Sequence, residues 1–431
     1  MNWKKELQIF AWILGFFLFA YFMPIGTQRF DNALLEAFEL AKWYAQEHVL
    51  LCLIPAFFIA GVIAVFVSQG AVIKYFGANA KKWKAYLIAS LSGTILAVCS
   101  CTILPLFSSI YKRGAGLGPA MTFLYSGPAI NILAIILTAR ILGFDLGIAR
   151  IIGAVIFSVV IGIIMSLLYR KEEKERTEKM DFPDIKDERP LWQTSYHFFV
   201  LVLILVFANW GKPDTNEGFM FWLYTHKWHI TAFFGLMFIY SLIRILKMKP
   251  LYVMLAAIPV IATAFIFPLQ PLIPFVLAVV GLTILIMITP GESQEWLNET
   301  WGFTKQIMPL LAAGVLVAGL LLGTAEGEGI IPNEWVSALV GGNSLLSNFY
   351  ASIFGAFMYF ATLTEIPIIQ GLLNNGMGQG PALSLLLAGP ALSLPNMLVI
   401  RSVIGTQKTV VYVILVSVMA TISGLIYGSM F

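Results

Sequence analysis

The sequence predicts an all-α polytopic membrane protein made of two inverted-topology repeats with re-entrant or broken helices. Three observations predict it. The 431-residue chain is 59% hydrophobic and only 12% charged, too apolar for a domain whose surface meets water. Apolar runs that can cross ~30 Å of hydrocarbon, or nearly so, recur from end to end. A glycine- and proline-rich stretch of the first half returns in the same register in the second half.

The elements follow from these runs. Residues 1–46 hold a first run, 9–22, behind Lys4 and Lys5. It reads as a transmembrane helix and not as a secretory signal, because no small-x-small cleavage pattern follows it in "FMPIGTQRF". Residues 47–169 form membrane repeat 1, with runs at 50–67, 119–139 and 151–168. Residues 170–190 are a charged linker, expected as a solvated cytoplasmic loop. Residues 191–290 carry central transmembrane helices, with runs at 198–208, 231–245, 251–267 and 272–288. Residues 291–431 hold an interfacial segment and membrane repeat 2, with runs at 308–322, 381–400 and 410–426. Each repeat follows a charged, Trp-containing stretch, "LLEAFELAKWYAQEH" or "ESQEWLNETWGFTKQ", which suits an interfacial helix or a solvated loop.

Laying 93–143 over 355–405 at a constant offset of 262 matches Gly93, Thr102, Pro105, Gly114, Gly116, Gly118, Pro119, Ala120, Leu124, Gly127, Pro128, Ala129 and Gly143 with identical residues. Glycines and prolines in one register are harder to obtain by chance than leucines, so the chain contains an internal duplication. Copy one carries Lys74, Lys81, Lys82, Lys84, Lys112 and Arg113, whereas copy two has no Lys or Arg from 306 to 400. Basic short loops favour the cytoplasm, so the two copies are expected to face opposite sides. If residues 85–111 enter and return as a re-entrant hairpin, the linker with its seven basic residues falls in the cytoplasm. Seven crossings then separate the copies, an odd number that inverts them. Arg140 and Arg150 fall outside in this arrangement, against the charge rule.

Irregular backbone at membrane depth is tolerated only where it is buried in protein or lines a water-filled cavity. Copy one supplies two such places, "CSCTILP" and "SGPAIN"; copy two supplies "ATLTEIP" and "AGPALS". Proline frees upstream carbonyls, glycine admits close approach, and broken helices in inverted repeats aim their ends at a midplane site. The expected substrate-binding residues are therefore Cys99, Ser100, Cys101, Thr102, Ser126, Gly127, Pro128 and Asn131 from copy one. Copy two adds Thr362, Thr364, Glu365, Gly389, Pro390, Ser393 and Asn396. A packed proline kink satisfied by Ser and Thr explains any single break equally well.

Chemically the copies differ: one offers sulfur at Cys99 and Cys101, the other a carboxylate at Glu365. Thiolates bind soft species such as trivalent arsenic, Cu(I) or Zn(II), although free cysteine also packs as a small apolar side chain. Glu365 is the only acid after Glu334 and stands in an apolar segment, where an ionisable group marks function. Protonated, it would couple transport to proton flow; ionised, it would need a cation, and none is near in sequence. The four histidines share no metal-ligand spacing, and no phosphate-binding glycine loop signals ATP use. No catalytic residue, resident metal or cofactor is expected; the expected partners are a small-molecule substrate and the lipid bilayer, not nucleic acid.

Over "CSCTILPLFSSIYKRGAGLGPAMTFLYSGPAIN" and "TEIPIIQGLLNNGMGQGPALSLLLAGPALSLPN" the sequence resembles a bacterial permease family that includes the organoarsenical efflux permeases. The resemblance covers roughly residues 55–168 and 309–427. It implies a multi-pass transporter of a prokaryotic inner membrane, with Cys99 and Cys101 matching the family's cysteine motif. The resulting expectation is a secondary transporter working by alternating access, with efflux of trivalent organoarsenicals as the first substrate and small sulfur compounds or another anion as the alternative. A membrane thiol oxidoreductase using Cys99 and Cys101, or a structural membrane subunit, are the readings outside transport. Copy two lacks cysteine altogether.

Overall fold

Large apolar side chains such as Leu255, Ile258, Phe265, Ile284 and Met287 point outward, the reverse of a water-soluble protein and the pattern lipid demands. The structure, a computed structural model, describes residues 3–66, 76, 81–96, 100–130, 134–135, 138–179, 190–211, 217–323, 327, 329–331, 338–357, 365–374 and 376–430. Among these, every regular element is a helix, and an isolated bridge pairs Gly341 with Met377. Four helical stretches among them are long and apolar enough to cross a membrane: Gln28–Phe66, Phe144–Leu168, Glu292–Leu321 and Thr406–Gly428. The chain is a multi-pass membrane protein.

Helix α1 (Trp3–Tyr21) precedes α2 (Gln28–Tyr44), which runs through a π-helical stretch (Ala45–Leu53) into α3 (Ile54–Phe66). Copy one continues with α4 (Lys82–Leu96), α5 (Ser100–Lys112), α6 (Leu117–Ala129), a π-helical turn (Thr138–Leu142) and α7 (Phe144–Leu168). The linker opens with α8 (Arg170–Lys179), and the central helices are α9 (Leu191–Ala208), α10 (Phe219–Arg244), α11 (Pro250–Ile266) and α12 (Leu272–Ile288). After α13 (Glu292–Leu322), copy two supplies α14 (Leu345–Phe357), α15 (Glu365–Asn374), α16 (Gln379–Leu392), α17 (Leu394–Ile404) and α18 (Thr406–Gly428).

The offset of 262 holds in three dimensions. Helices α4 to α7 recur as α14, α15, α16 and α18 with nearly the same ends. Gly114 and Gly376 both turn the chain with positive φ (101° and 95°), as do Gly143 and Gly405 (115° and 85°), which explains why those positions keep glycine. The match also runs beyond the sequence overlay. A Cβ on Gly118 would come 2.9 Å from the Gly162 carbonyl oxygen; at the equivalent positions, one on Gly380 would come 2.5 Å from the Gly424 carbonyl. Beside these contacts Thr122 Oγ1 donates to Ser158 O, and Ser384 Oγ donates to Ala420 O, both at 3.0 Å. Small residues let two helices approach closely in a membrane, so each α6–α7 or α16–α18 pair is a tight, hydroxyl-pinned unit.

The copies pack on each other through corresponding parts. The π-helical turn of copy one lies on α15 of copy two, and α17, its counterpart in copy two, lies on α5 of copy one. Helices α6 and α16 meet at the centre, where every residue of α6 is buried. Outside them, α13 runs antiparallel to α2 and α3: Trp296 Nε1 donates to Phe58 O at 2.8 Å, and Gly319 meets Ala37 and Leu40.

Several local expectations change. The two charged stretches are helical and continuous with the apolar runs behind them, α2 into α3 and the first half of α13 into its second. The run at 119–139 is not one span, because α6 ends at Ala129 with Ile130 at φ −111° and ψ 27°. The linker does not start as a solvated loop. In α8, Glu173 accepts bonds from Tyr111 Oη (2.8 Å) and from Leu117 N (3.1 Å), the first amide of α6. Arg176 donates to Tyr111 O and Ala115 O and stacks on the Tyr111 ring, 3.8 Å from its centroid. Lys408 of copy two reaches Glu172 (3.0 Å) and Glu173 (3.6 Å). Residues 180–189 lie outside the described residues.

Candidate functional site

Two helix ends define the centre. In copy two Pro390 and Pro395 bracket the junction between α16 and α17, and the chain bends there by 47° with Ser393 at φ −41° and ψ 146°. Proline lacks an N–H, so carbonyls of the last turn of α16 need other partners. Asn396 Nδ2 donates to Pro390 O at 3.3 Å and supplies one. In copy one the corresponding service comes from Arg150, whose Nε donates to Ala129 O, the last residue of α6, at 3.2 Å. A guanidinium at a helix C-terminus also meets the negative end of the helix dipole.

Arg150 does more than cap. Its Nη1 donates to Thr138 Oγ1 at 2.9 Å, and Thr138 donates on to Ala134 O. Its Nη2 lies 2.6 Å from Glu365 Oε1, and neither side chain has any exposed surface. Glu365 is the first residue of α15, where a carboxylate faces the positive end of the helix dipole. Each charge is thus helped by a helix end and by the other charge. The pair joins α7 of copy one to α15 of copy two. Breaking such a buried pair by removing one partner costs about 3–5 kcal/mol, because the remaining charge stays buried.

Among the buried polar atoms of the two copies, several are left over. Glu365 Oε2, Tyr125 Oη, Tyr412 Oη, Ser393 Oγ and Asn396 Oδ1 are buried with no hydrogen-bond partner among the described residues. Tyr125 lies within electrostatic range of Arg150 and of Tyr412. By the offset of 262, Tyr412 is the counterpart of Arg150, so equivalent positions of α7 and α18 both serve this cluster.

The expected site residues divide three ways. Glu365, Ser393 and Asn396 are buried, and Glu365 Oε2, Ser393 Oγ and Asn396 Oδ1 have no hydrogen-bond partner among the described residues. Ser126 is engaged, donating to Ala89 O (3.1 Å) and Phe123 O (3.3 Å) and tying α6 to α4; Thr102 is buried in α5. Gly127, Pro128, Gly389 and Pro390 are buried inside the last turns of α6 and α16, and a Cβ on Gly127 would press on Ile103. Ser100 and Cys101 open α5, with side chains outside the described set; Cys99, Asn131, Thr362 and Thr364 lie outside the described residues. Cys52 is buried in the π-helical stretch. No group of three or more His, Cys, Asp or Glu able to hold a metal occurs among the described residues.

Arg150, which the charge rule counts against the expected arrangement, is no loop residue but is wholly buried within α7, and the cation that Glu365 needs comes from the other copy. The rule that singles out Glu365, an ionisable group inside an apolar run, applies equally to Arg150 in "LGIARIIGAVIF" and identifies it. Tyr125, Tyr412 and Thr138 carry no comparable sequence signal.

A relative, the UPF0718 protein MJ0584 of Methanocaldococcus jannaschii, is 41% identical over 386 residues, 89% of this chain and 93% of the relative. The UPF0718 protein YraQ of Escherichia coli is 28% identical over 144 residues, 32% of this chain and 37% of its own. The UPF0718 protein YcgR of Bacillus subtilis is 25% identical over 117 residues, 27% of this chain and 39% of its own. No solved structure matches the chain. The family model described as a predicted permease, ArsP_1, matches residues 34–429, a span that contains both copies and the ion pair between them. The chain belongs to this predicted permease family.

Proposed function

We propose that the protein is a secondary transporter that moves a small solute across a prokaryotic inner membrane by alternating access. The observation that carries the reading is the buried Arg150–Glu365 pair, which joins two copies of one structural unit at their broken helices. The antiparallel course of α13 against α2 and α3 supports inverted copies, as do the reciprocal contacts of the π-helical turn with α15 and of α17 with α5. Rocking of one copy against the other opens the cluster to each side in turn. Glu365 carries the coupling proton, because its carboxylate can be neutralised in place when the pair parts.

Efflux of trivalent organoarsenicals is the first substrate to test, resting on the match of Cys99 and Cys101 to the cysteine motif of the organoarsenical permeases. The experiment compares accumulation of trivalent methylarsenical in cells lacking arsenic efflux that express the native protein, Cys99→Ser/Cys101→Ser, or Glu365→Gln at matched membrane levels. Lower accumulation with the native protein alone supports the reading. Equal accumulation in all cells removes the arsenical. Flux in liposomes that is indifferent to a pH gradient removes Glu365 from coupling.

A further inference from the structure

We propose that Arg150 anchors a binding site for a small anion, and that the Glu365 carboxylate is the resident occupant which that anion displaces. The inference deepens the transporter reading and rests on it, but it is independent of the arsenical.

The two partners of the pair are chemically unequal. A carboxylate is neutralised by one proton, whereas a guanidinium stays charged in a protein. A cation arriving at Glu365 would drive Arg150 off and strand a buried guanidinium, a state strongly disfavoured at this depth. An anion arriving at Arg150 needs only that Glu365 take up a proton. With a monovalent anion the site then has zero net charge before and after the exchange.

The geometry suits this exchange. Arg150 is held on two sides by Ala129 O and Thr138 Oγ1, so its guanidinium keeps its place while the third side changes partner. Two buried hydroxyls have no hydrogen-bond partner among the described residues: that of Tyr125, which interacts electrostatically with Arg150, and behind it that of Tyr412, which interacts with Tyr125. A buried guanidinium held on two sides, with the Tyr125 hydroxyl in electrostatic range and that hydroxyl without a partner among the described residues, is a receptor for an oxyanion or carboxylate. The titratable groups around the pair are Arg150 from α7, Tyr125 from α6 and Tyr412 from α18; α16 carries none, and the side chain of Arg140 in the π-helical turn lies outside the described set. One proton therefore travels on Glu365 with each monovalent anion, and both leave together on the far side.

The test uses the full-length protein in liposomes of phosphatidylethanolamine and phosphatidylglycerol loaded with a pH-sensitive dye. Inward gradients of nitrate, sulfate or thiosulfate are imposed without a pH gradient, with methylarsonous acid as the neutral comparator and protein-free liposomes as the blank. The expected result is protein-dependent internal acidification with at least one anion, lost in the charge-balanced variant Arg150→Gln/Glu365→Gln, which strands no buried charge. No acidification with any of the three anions while methylarsonous acid crosses overturns the anion site and leaves the transporter standing. No flux of any probe through correctly folded protein overturns both.

Discussion

One buried contact joins charges of the two copies: Arg150 Nη2 lies 2.6 Å from Glu365 Oε1, and both side chains have no exposed surface. Its value for folding lies mainly in what would be left behind if one half were removed. Arg150→Gln or Glu365→Gln alone should each lower stability by about 3–5 kcal/mol, whereas the double variant should lose clearly less than the sum. Thermal unfolding of the purified variants in detergent reads this directly, and additive losses would show that the two groups do not interact. The hydroxyls make the opposite case. Tyr412→Phe removes an atom with no hydrogen-bond partner among the described residues, so unfolding should be nearly unchanged while flux falls. A large loss of stability would instead place Tyr412 Oη in a structural bond.

At the scale of elements, two devices position that contact. The first is the close helix pair, α6 on α7 and α16 on α18, sealed by glycine against glycine carbonyl. Gly162→Leu and Gly424→Leu overfill equivalent contacts and should destabilise by similar amounts, at least about 1–3 kcal/mol each. Unequal effects would mean that the two pairs differ in packing despite their matched bonds. The second device is α8, which pins the turn between α5 and α6 through Glu173 and Arg176 and reaches α18 through Lys408. Glu173→Ala leaves Leu117 N without this acceptor and should cost about 1–3 kcal/mol. Proteolysis within residues 180–189 should quicken as α8 lifts, and an unchanged cleavage rate would show that α8 stays docked by other means.

How much of this was legible in the sequence depended on which residues carried the signal. Glycine and proline did so well, since Gly114, Gly143, Gly376 and Gly405 hold positive φ that other residues resist. They revealed the duplication and both breaks. Beyond Gly143 the overlay faded because α7 and α18 are built from interchangeable apolar residues, and only packing showed that Thr122–Ser158 and Ser384–Ala420 are the same bond twice. Glu365 stood out as a lone acid, but its partner did not, because Arg150 is separated from it by the whole central segment and was assigned by a loop rule to the outside. The docking of α8 was hidden for a related reason: a run of alternating charges reads as solvated until a buried tyrosine and a free amide are brought against it.

At the scale of the whole molecule, we propose that one unit occurs twice in opposite orientation, with the Arg150–Glu365 pair where the copies meet. Under that proposal the two ends of the pathway would be alike, and a single rocking motion would exchange inside for outside. Lys112 ends α5, and Asn374, the equivalent position by the offset of 262, ends α15. The direct measurement is labelling of Lys112→Cys and Asn374→Cys by a membrane-impermeant thiol reagent in intact cells and in inside-out vesicles, against the native protein as background. Inverted copies predict Asn374→Cys labelled only in intact cells and Lys112→Cys only in inside-out vesicles. Labelling of both from the same side would contradict the inversion and, with it, alternating access between the two copies.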